Sequence, residues 1–162
     1  MPVTEFTTDP DTRTITITAQ FAAPVERVWG LYADARQLEK VWGPPTYPAT
    51  FVEHALEPGA RTIYYMTSPE GERFGGWWEI TEVDEPHRFA FHDGFTDTDL
   101  QPDPSMPVSE CVYTFEATED GGTRAVYTST YATAEALQQV VDMGVEEGSV
   151  SAINQIDAAL AA

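Results

Sequence analysis

The first strong pattern in the chain is an alternation of apolar and polar residues at positions 13–21, RTITITAQF. Ile15 and Ile17 alternate with threonines, which is the period of a half-buried strand. Pro24 then suits the first turn of a helix, and the apolar residues at positions 25–32 recur at helical spacing. We therefore predict a strand followed directly by a helix.

A second short helix and a long run of strands follow. Asp34 can cap the helix, and Gly43-Pro44-Pro45 ends it. Between residues 50 and 131 the chain breaks into short segments separated by turn signals, of which Glu119-Asp120-Gly121-Gly122 is a strong hairpin signal. These segments, which we predict as six strands, are ATFVEHALE, RTIYYMTS, ERFGGWWEITEVD, HRFAFHDGF, SECVYTFEAT and TRAVYTSTY. Short strands joined by tight turns indicate an antiparallel meander.

Residues 133–162 predict one long helix. Thr133 can cap its start, and apolar residues recur along one face as far as Leu160. Gly144 and Gly148 lie one turn apart, where an interior glycine costs about 1 kcal/mol relative to alanine. A helix that retains this cost is expected to gain close approach or vacant space at that point.

The element order predicts an α+β fold in which a curved antiparallel sheet of about seven strands wraps around the C-terminal helix. That helix is the only predicted element long enough to cover the apolar face of the sheet. A sheet curled around one helix leaves a gap between them, which is the default ligand site. A chain of 162 residues fits a single domain, residues 1–162, with its core at about 13–160.

One segment lacks any periodicity, FTDTDLQPDPSMP at positions 95–107. It contains three prolines and three aspartates. We interpret it as a loop, either a plain surface loop or a lid or binding loop.

Composition and charge exclude several classes of protein. Hydrophobic content of 42% rules out a disordered chain, and no stretch approaches the roughly 18 apolar residues of a membrane span. Eight Lys and Arg stand against 27 Asp and Glu, a formal net charge of −19, which argues against nucleic acid and anionic membranes as partners. The acidic residues are scattered rather than set in a calcium-binding loop, so the charge indicates an acidic, self-repelling surface.

The N-terminus has neither a basic nor an apolar signal region, and we expect a cytoplasmic protein. The lone Cys111 agrees with a reducing compartment. We interpret it as a small buried strand residue, the alternative being a reactive thiol.

Two motifs near the start of the chain resemble a known family. The segments F-x-A-P-x-x-x-V-W at 21–29 and D-x-x-x-L-x-x-x-W-G-P at 34–44 resemble the opening of the START-like SRPBCC superfamily. Residues 58–91 are similar to the signature of the branch named for the activator of the heat-shock protein 90 ATPase. The matching positions are Pro58, Gly59, Met66, Pro69, Gly71, Gly75, Trp77, Glu79, Ile80 and Pro86.

The resemblance implies the helix-grip fold of the birch-pollen-allergen type, whose members typically bind apolar small molecules between sheet and helix. Some relatives are polyketide cyclases or proteins that sequester an antibiotic, so the fold leaves function open. The family often has a second aromatic where Val41 stands and Gly-Trp where Gly148-Ser149 stands. Losing that indole leaves room near the helix.

Strand alternation predicts the cavity walls when Phe89 and Phe91 are taken as inward-facing. It places Trp78 on the cavity face and its neighbour Trp77 on the other, where the family signature falls. Tyrosine hydroxyls in a cavity need a partner, which a ligand can supply, although each residue singly also fits plain core. The predicted ligand-pocket residues are Tyr64, Met66, Trp78, Ile80, Phe89, Phe91, Tyr113, Phe115, Tyr127, Tyr131, Val140, Met143 and Gly144.

The sequence offers little support for catalysis. His54, His87 and His92 lie on separate segments without metal-ligand spacing, and no phosphate loop or dinucleotide fingerprint occurs, so we predict no metal and no cofactor. His92 and Asp93 could form a base and its orienting acid, but no motif pairs them with a nucleophile. Proton transfer on a bound polyketide by a tyrosine, His92 or Glu79 remains an alternative.

The leading hypothesis is a non-catalytic protein that binds an apolar or aromatic small molecule, such as a lipid or polyketide. A polyketide cyclase or isomerase is the first alternative, and a module that regulates a chaperone ATPase is the second. An acidic domain with few basic residues offers no evident anchor for a chaperone, which disfavours that partner. The sequence leaves the oligomeric state open, including a homodimer.

Overall fold

The structure is a computed structural model that describes residues 2–161. In these residues the chain forms eight strands and five helices. The strands are β1 (Val3–Asp9), β2 (Thr14–Phe21), β3 (Ala49–Glu53), β4 (Arg61–Thr67), β5 (Arg73–Asp84), β6 (Arg88–Phe95), β7 (Ser109–Ala117) and β8 (Thr123–Tyr131). The helices are α1 (Val25–Ala33), α2 (Ala35–Leu38), α3 (Ala134–Asp142), α4 (Val145–Ile153) and α5 (Ile156–Ala161).

All eight strands form one antiparallel sheet in the order β1-β2-β8-β7-β6-β5-β4-β3. The predicted α+β helix-grip fold is therefore confirmed: an open antiparallel sheet with two short helices after its first predicted strand and a helical C-terminal segment. The strand that we did not predict is β1. Its sequence, VTEFTTD, places only Val3 and Phe6 at partly buried positions, which is too few for a recognisable alternation.

The two predicted helix caps are present. The Asp34 carboxylate accepts a hydrogen bond from the backbone N–H of Arg36 at 2.8 Å, which begins α2. The Thr133 hydroxyl accepts one from the backbone N–H of Ala136 at 3.0 Å, which begins α3.

The C-terminal segment differs from the prediction of one long helix, because it divides into three. Gly144 has φ +89°, a left-handed conformation that glycine adopts without strain, and it ends α3 and begins α4. At the second break Asn154 accepts a hydrogen bond from the backbone N–H of Val3 at 3.0 Å, and Gln155 donates one to the carbonyl of Gly43 at 2.8 Å. The segment thus bends over the sheet and is tied to elements on either side.

The inner face of the sheet divides along its strands into two parts. We call the first the filled half, where the helix α1 packs directly on the sheet. Trp29 of α1 meets Phe89 edge-on at 5.6 Å and Phe115 at 6.3 Å between ring centroids. Its buried sheet residues are Ala19, Phe21, Trp78, Ile80, Phe89, Phe91, Phe115 and Ala125. The second part, the open half, lies beneath α4 and is described below.

No helix within residues 2–161 is long and apolar enough to cross a membrane.

Candidate functional site

A cavity of about 270 Å³ lies between the open half of the sheet and α4. The strands supply its wall by simple alternation, since the lining strand residues other than Gly94 are two or four positions apart on their strands. The sheet residues that line it on the inner face are Ile15 and Ile17 of β2, Tyr64 and Met66 of β4, Asp93 and Phe95 of β6, Ser109 and Tyr113 of β7, and Tyr127, Ser129 and Tyr131 of β8.

The helix α4 supplies the roof with one face that consists largely of small residues. Val145, Gly148, Ser149, Ala152 and Ile153 line the cavity, and they recur at three- and four-residue spacing. A Cβ atom added at Gly148 would meet no atom within 4 Å. The cavity therefore exists because glycine, serine and alanine stand where larger side chains would reach the sheet.

The cavity wall is rich in aromatic side chains. Two of them form a buried hydrogen bond in which the hydroxyl of Tyr32 donates to the hydroxyl of Tyr127 at 2.8 Å. Burial raises the pKa of both phenols above the ordinary value, so both are neutral at physiological pH. The seven aromatic residues in the lining are Tyr32, Trp42, Tyr64, Phe95, Tyr113, Tyr127 and Tyr131.

Two glycines allow aromatic rings to lie flat against the sheet. A Cβ atom at Gly76 would stand 2.3 Å from the hydroxyl oxygen of Tyr64, so this position must be glycine for the phenol to lie where it does. On the outer face, a Cβ atom at Gly94 would stand 2.5 Å from Nε1 of Trp77, which packs across the paired strand. Trp77 thus has a structural contact on the outside of the sheet, as the alternation predicts.

Asp93 is the charged residue in the lining; it is half-buried, and no hydrogen bond to its carboxylate occurs among residues 2–161. Burial raises the pKa of Asp93 to about 7. Its charge in turn contributes to the raised pKa of Tyr64, after burial as the main cause, and acts in the same direction on Cys111 and Tyr131. A carboxyl group therefore faces the cavity in an electrostatic environment that favours its neutral form.

Six of the thirteen predicted pocket residues line the cavity: Tyr64, Met66, Tyr113, Tyr127, Tyr131 and Val140. Two predicted residues of the C-terminal segment lie elsewhere. Met143 is 54% exposed, because the turn at Gly144 directs the end of α3 toward solvent. The remaining five, which lie in the filled half outside the lining, are Trp78, Ile80, Phe89, Phe91 and Phe115.

Trp78 is on the predicted face of the sheet, but it is a core residue and not a wall of the cavity. It is fully buried, with Phe91 at 4.3 Å and Trp42 at 5.0 Å between ring centroids. Its indole Nε1 has no hydrogen-bond partner in the described part of the chain. Trp42, which closes over it from the segment after α2, separates it from the cavity.

Several lining residues escaped the sequence analysis. Asp93 was considered only as a partner of His92, although neighbouring strand residues point to opposite faces. The alternation from Phe89 through Phe91 to Asp93 was the signal that could have found it. On α4, Gly148 and Ser149 line the cavity where the sequence analysis expected room, whereas Ala152 could have been found from its three- and four-residue spacing to them.

The histidines have structural or external positions. His54 hydrogen-bonds the Thr62 hydroxyl at 2.8 Å and the carbonyl of Tyr32 at 2.7 Å. His92 lies on the outer face, 3.7 Å from the nearest carboxylate oxygens of Glu79 and Glu110. Neither His92 nor Glu79 therefore reaches the cavity. Within residues 2–161 no three His, Cys, Asp or Glu side chains are grouped as metal ligands.

Cys111 is buried, as predicted. Its Sγ lies 3.4 Å from the hydroxyl oxygens of Ser109 and of Ser129. Burial raises the pKa of the thiol to about 12, so the nucleophilic thiolate is disfavoured at physiological pH.

Comparison with known proteins assigns this chain to a family. Residues 22–161 match the sequence profile described as Activator of Hsp90 ATPase homolog 1-like protein. No curated protein matches the chain.

Solved structures share both the fold and much of the sequence. The crystal structure of protein Ms6760 from Mycobacterium smegmatis is 65% identical, with a TM-score of 0.90, covering 97% of this chain and 96% of that one. A solution structure from Arthrobacter aurescens is 40% identical, with a TM-score of 0.93 and coverage of 98% and 92%. The AHSA1 protein from Silicibacter pomeroyi, 20% identical over 91% of this chain and 97% of its own, shares the fold with a TM-score of 0.72.

Proposed function

The chain belongs to the family of Activator of Hsp90 ATPase homolog 1-like proteins, and we propose that it binds an apolar or aromatic small molecule in the cavity beneath α4. The family has the SRPBCC-type fold, which typically binds ligands between sheet and helix. The proposal goes further than the family by assigning the site and the kind of ligand to this chain.

The observation that carries the proposal is the contrast between wall and roof. Tyrosines and aliphatic residues form most of the wall, whereas α4 presents Gly148, Ser149 and Ala152 opposite it. A folding core gains stability from close packing, so small residues facing large ones leave volume that packing alone does not explain. The cavity of about 270 Å³ lies near the lower end of the size range of ligand pockets, which favours one compact ligand.

The test compares two glycine substitutions that are chemically identical. Gly148→Leu adds a side chain to the cavity-facing side of α4, and Gly30→Leu adds the same side chain to α1, away from the lining. A Cβ atom meets nothing within 4 Å at either position, so both helices should accept the change. Thermal-shift measurements with fatty acids, flavonoids and aromatic polyketides would identify a ligand, and isothermal titration calorimetry would compare its affinity across the three proteins.

We expect the wild type and Gly30→Leu to bind the same ligand equally well, and Gly148→Leu to bind it at least about tenfold more weakly because the added side chain fills the site. The proposal is wrong if no compound in the panel binds. It is also wrong if Gly148→Leu binds as tightly as the other two proteins.

A second candidate function is acid–base catalysis on the bound molecule, as in a cyclase or isomerase. The observation that favours it is Asp93, a cavity-facing carboxyl whose pKa of about 7 suits proton transfer near neutral pH. His92 and Glu79, considered from the sequence for this role, face outward. An enzyme would convert the identified ligand, and Asp93→Asn would abolish turnover even when the ligand is supplied at saturating concentration.

A further inference from the structure

The charge inside the cavity is unbalanced. Asp93 lines it, whereas the lining contributed by residues 2–161 contains no lysine, arginine or histidine. The cross-strand neighbours of Asp93 are Trp78 on β5 and Ser109 on β7, and neither carries a charge. The adjacent His92 points to the opposite face, toward Glu79.

An ionised carboxylate without a counter-ion is unstable in such a place. Removing it from water is costly unless a positive group or several hydrogen-bond donors replace the lost hydration. Without a partner the carboxyl group reduces the penalty by taking up a proton, and this is why burial raises its pKa to about 7. A bound cation would remove the penalty differently, by supplying the missing charge.

The aromatic rings that line the cavity together with Asp93 also favour a cation. The face of an aromatic ring carries partial negative charge and attracts an ammonium group within about 6 Å of its centre. Tyr113 and Tyr127 meet edge-on at 4.5 Å between centroids, and Trp42 meets Tyr64 edge-on at 5.6 Å. Rings at such angles present faces and edges from several directions around one space, which resembles the aromatic cages that hold alkylated ammonium groups.

The charge of the whole molecule acts in the same direction. A formal net charge of −19 attracts cationic molecules and repels anionic ones, which changes their local concentration near the site. A fatty acid or another carboxylate would be repelled by the surface and would also meet Asp93 inside the cavity.

We propose that the ligand is an organic cation, an apolar or aromatic molecule with one ammonium group, and that Asp93 pairs with this group inside the aromatic lining. This inference rests on the proposed function and specifies its ligand class. The apolar part of the ligand lies under α4, against Gly148 and Ala152.

The test uses two probes of nearly the same shape. Phenyltrimethylammonium carries a permanent positive charge, and tert-butylbenzene is its neutral counterpart. Each is titrated into wild-type protein and into Asp93→Asn, which keeps the size of the side chain and removes its charge. At about pH 8, where the carboxyl group is ionised, we expect the substitution to weaken binding of the cation at least about tenfold and to change binding of tert-butylbenzene less than about threefold.

The pH dependence provides a second readout. Phenyltrimethylammonium does not titrate, so its affinity should rise from about pH 5.5 to about pH 8 as Asp93 ionises, and should be flat in Asp93→Asn. The charge of Asp93 contributes to the raised pKa values of four other titratable groups, Tyr64 on β4, Cys111 and Tyr113 on β7 and Tyr131 on β8. Their raised pKa values keep them neutral over this range. The face that α4 presents, from Val145 to Ile153, carries no titratable side chain.

His92 is adjacent to Asp93 in the chain but lies on the outer face of the sheet, so His92→Gln serves as the matched control and should keep the wild-type profile. If both proteins bind tert-butylbenzene but neither binds the cation more tightly, the ligand class is wrong and the cavity proposal stands. If Asp93→Asn binds the cation as well as wild type does, the pairing is wrong. If neither probe binds the wild type, both proposals fail.

Discussion

The two halves of the inner sheet face are built from the same strands by the same alternation, yet one is solid and the other hollow. In the filled half, Phe89 and Trp78 meet large side chains from α1 and from the segment after α2. In the open half, Tyr113 and Tyr131 face Gly148 and Ala152 on α4. The sheet is similar in both halves, and the covering helix decides whether a cavity forms.

This contrast also separates two kinds of aromatic residue. The rings of the filled half are phenylalanines and one tryptophan, which gain stability from packing alone. The rings of the open half are mostly tyrosines, whose hydroxyls require partners. The first group explains why the protein folds, and the second group is available for recognition.

The largest expected effect is in the filled half. Phe89 is fully buried, 5.6 Å from Trp29 and 5.5 Å from Phe91 between ring centroids. Phe89→Ala should lower the free energy of unfolding by about 3–5 kcal/mol, measured by urea denaturation. Met66→Ala in the open half should cost less than half of that, because Met66 already borders empty space. Equal losses of unfolding free energy in Phe89→Ala and Met66→Ala would contradict the difference in packing between the two halves.

The second prediction concerns Asp93 and the pH dependence of stability. Its folded-state pKa of about 7 exceeds the ordinary value of an unfolded aspartate, so the folded protein binds the proton more tightly. The resulting stability is fully present below about pH 4 and is lost as the pH rises through about 7. Asp93→Asn should therefore be more stable than wild type at pH 8, by about 1–2 kcal/mol, and the advantage should shrink toward pH 4.

The measurement is the difference in unfolding free energy between the two proteins at each pH, which cancels the contribution of the other carboxylates. Asp97→Asn, on the exposed loop outside the cavity, is the control for the same chemical substitution. A constant difference for Asp93→Asn across this range would contradict a raised pKa for this cavity-facing carboxyl group.

The third prediction compares two glycines of the C-terminal segment. Gly144 has φ +89° and makes the turn that places α4 over the open half, so Gly144→Ala should destabilise the fold by about 1–2 kcal/mol. Gly148 lies within α4, and Gly148→Ala should instead be stabilising by about 0.5–1 kcal/mol. Thermal unfolding distinguishes the two, and effects of the same sign would show that the segment is not divided at Gly144.

The smallest effect is expected at the boundary between the halves, where the hydroxyl of Tyr32 donates a hydrogen bond to the hydroxyl of Tyr127. Tyr32→Phe and Tyr127→Phe should each cost about 0.5–1.5 kcal/mol, since each leaves one buried hydroxyl without its partner. The double variant should cost less than the sum of the two, because it leaves no unpaired hydroxyl. Additive losses in a double-mutant cycle would mean that the hydrogen bond contributes nothing.

Most of the fold was predictable from the chain. Threonine and isoleucine alternation predicted β2, the turn signals separated the six later strands, and Asp34 and Thr133 marked the starts of two helices. β1 was missed because its two inward residues are separated by polar ones. The division at Gly144 was missed because glycine is compatible both with a helix interior and with a left-handed turn.

The site was only partly predictable, for a physical reason. Alternation predicts which face of a strand a side chain occupies, and it placed Trp78 and Tyr131 on the inner face. It carries no information on which stretch of that face a helix covers closely, so Trp78 was assigned to the cavity although Trp42 seals it into the core. Whether a stretch of the inner face borders the cavity depends on residues that are distant in the chain, such as Gly148 and Ala152 of α4. Only the folded structure shows which stretch they lie opposite.

The most direct test of a hollow half beneath α4 is the position of a small apolar probe in the crystal. Crystals of the wild-type protein soaked in bromobenzene would give an anomalous signal at the bromine atom. We expect a peak between α4 and the rings of Tyr64, Tyr113 and Tyr131, and no such peak in crystals of Gly148→Leu. A peak among Trp78, Phe89 and Phe91, or a peak unchanged by Gly148→Leu, would contradict it.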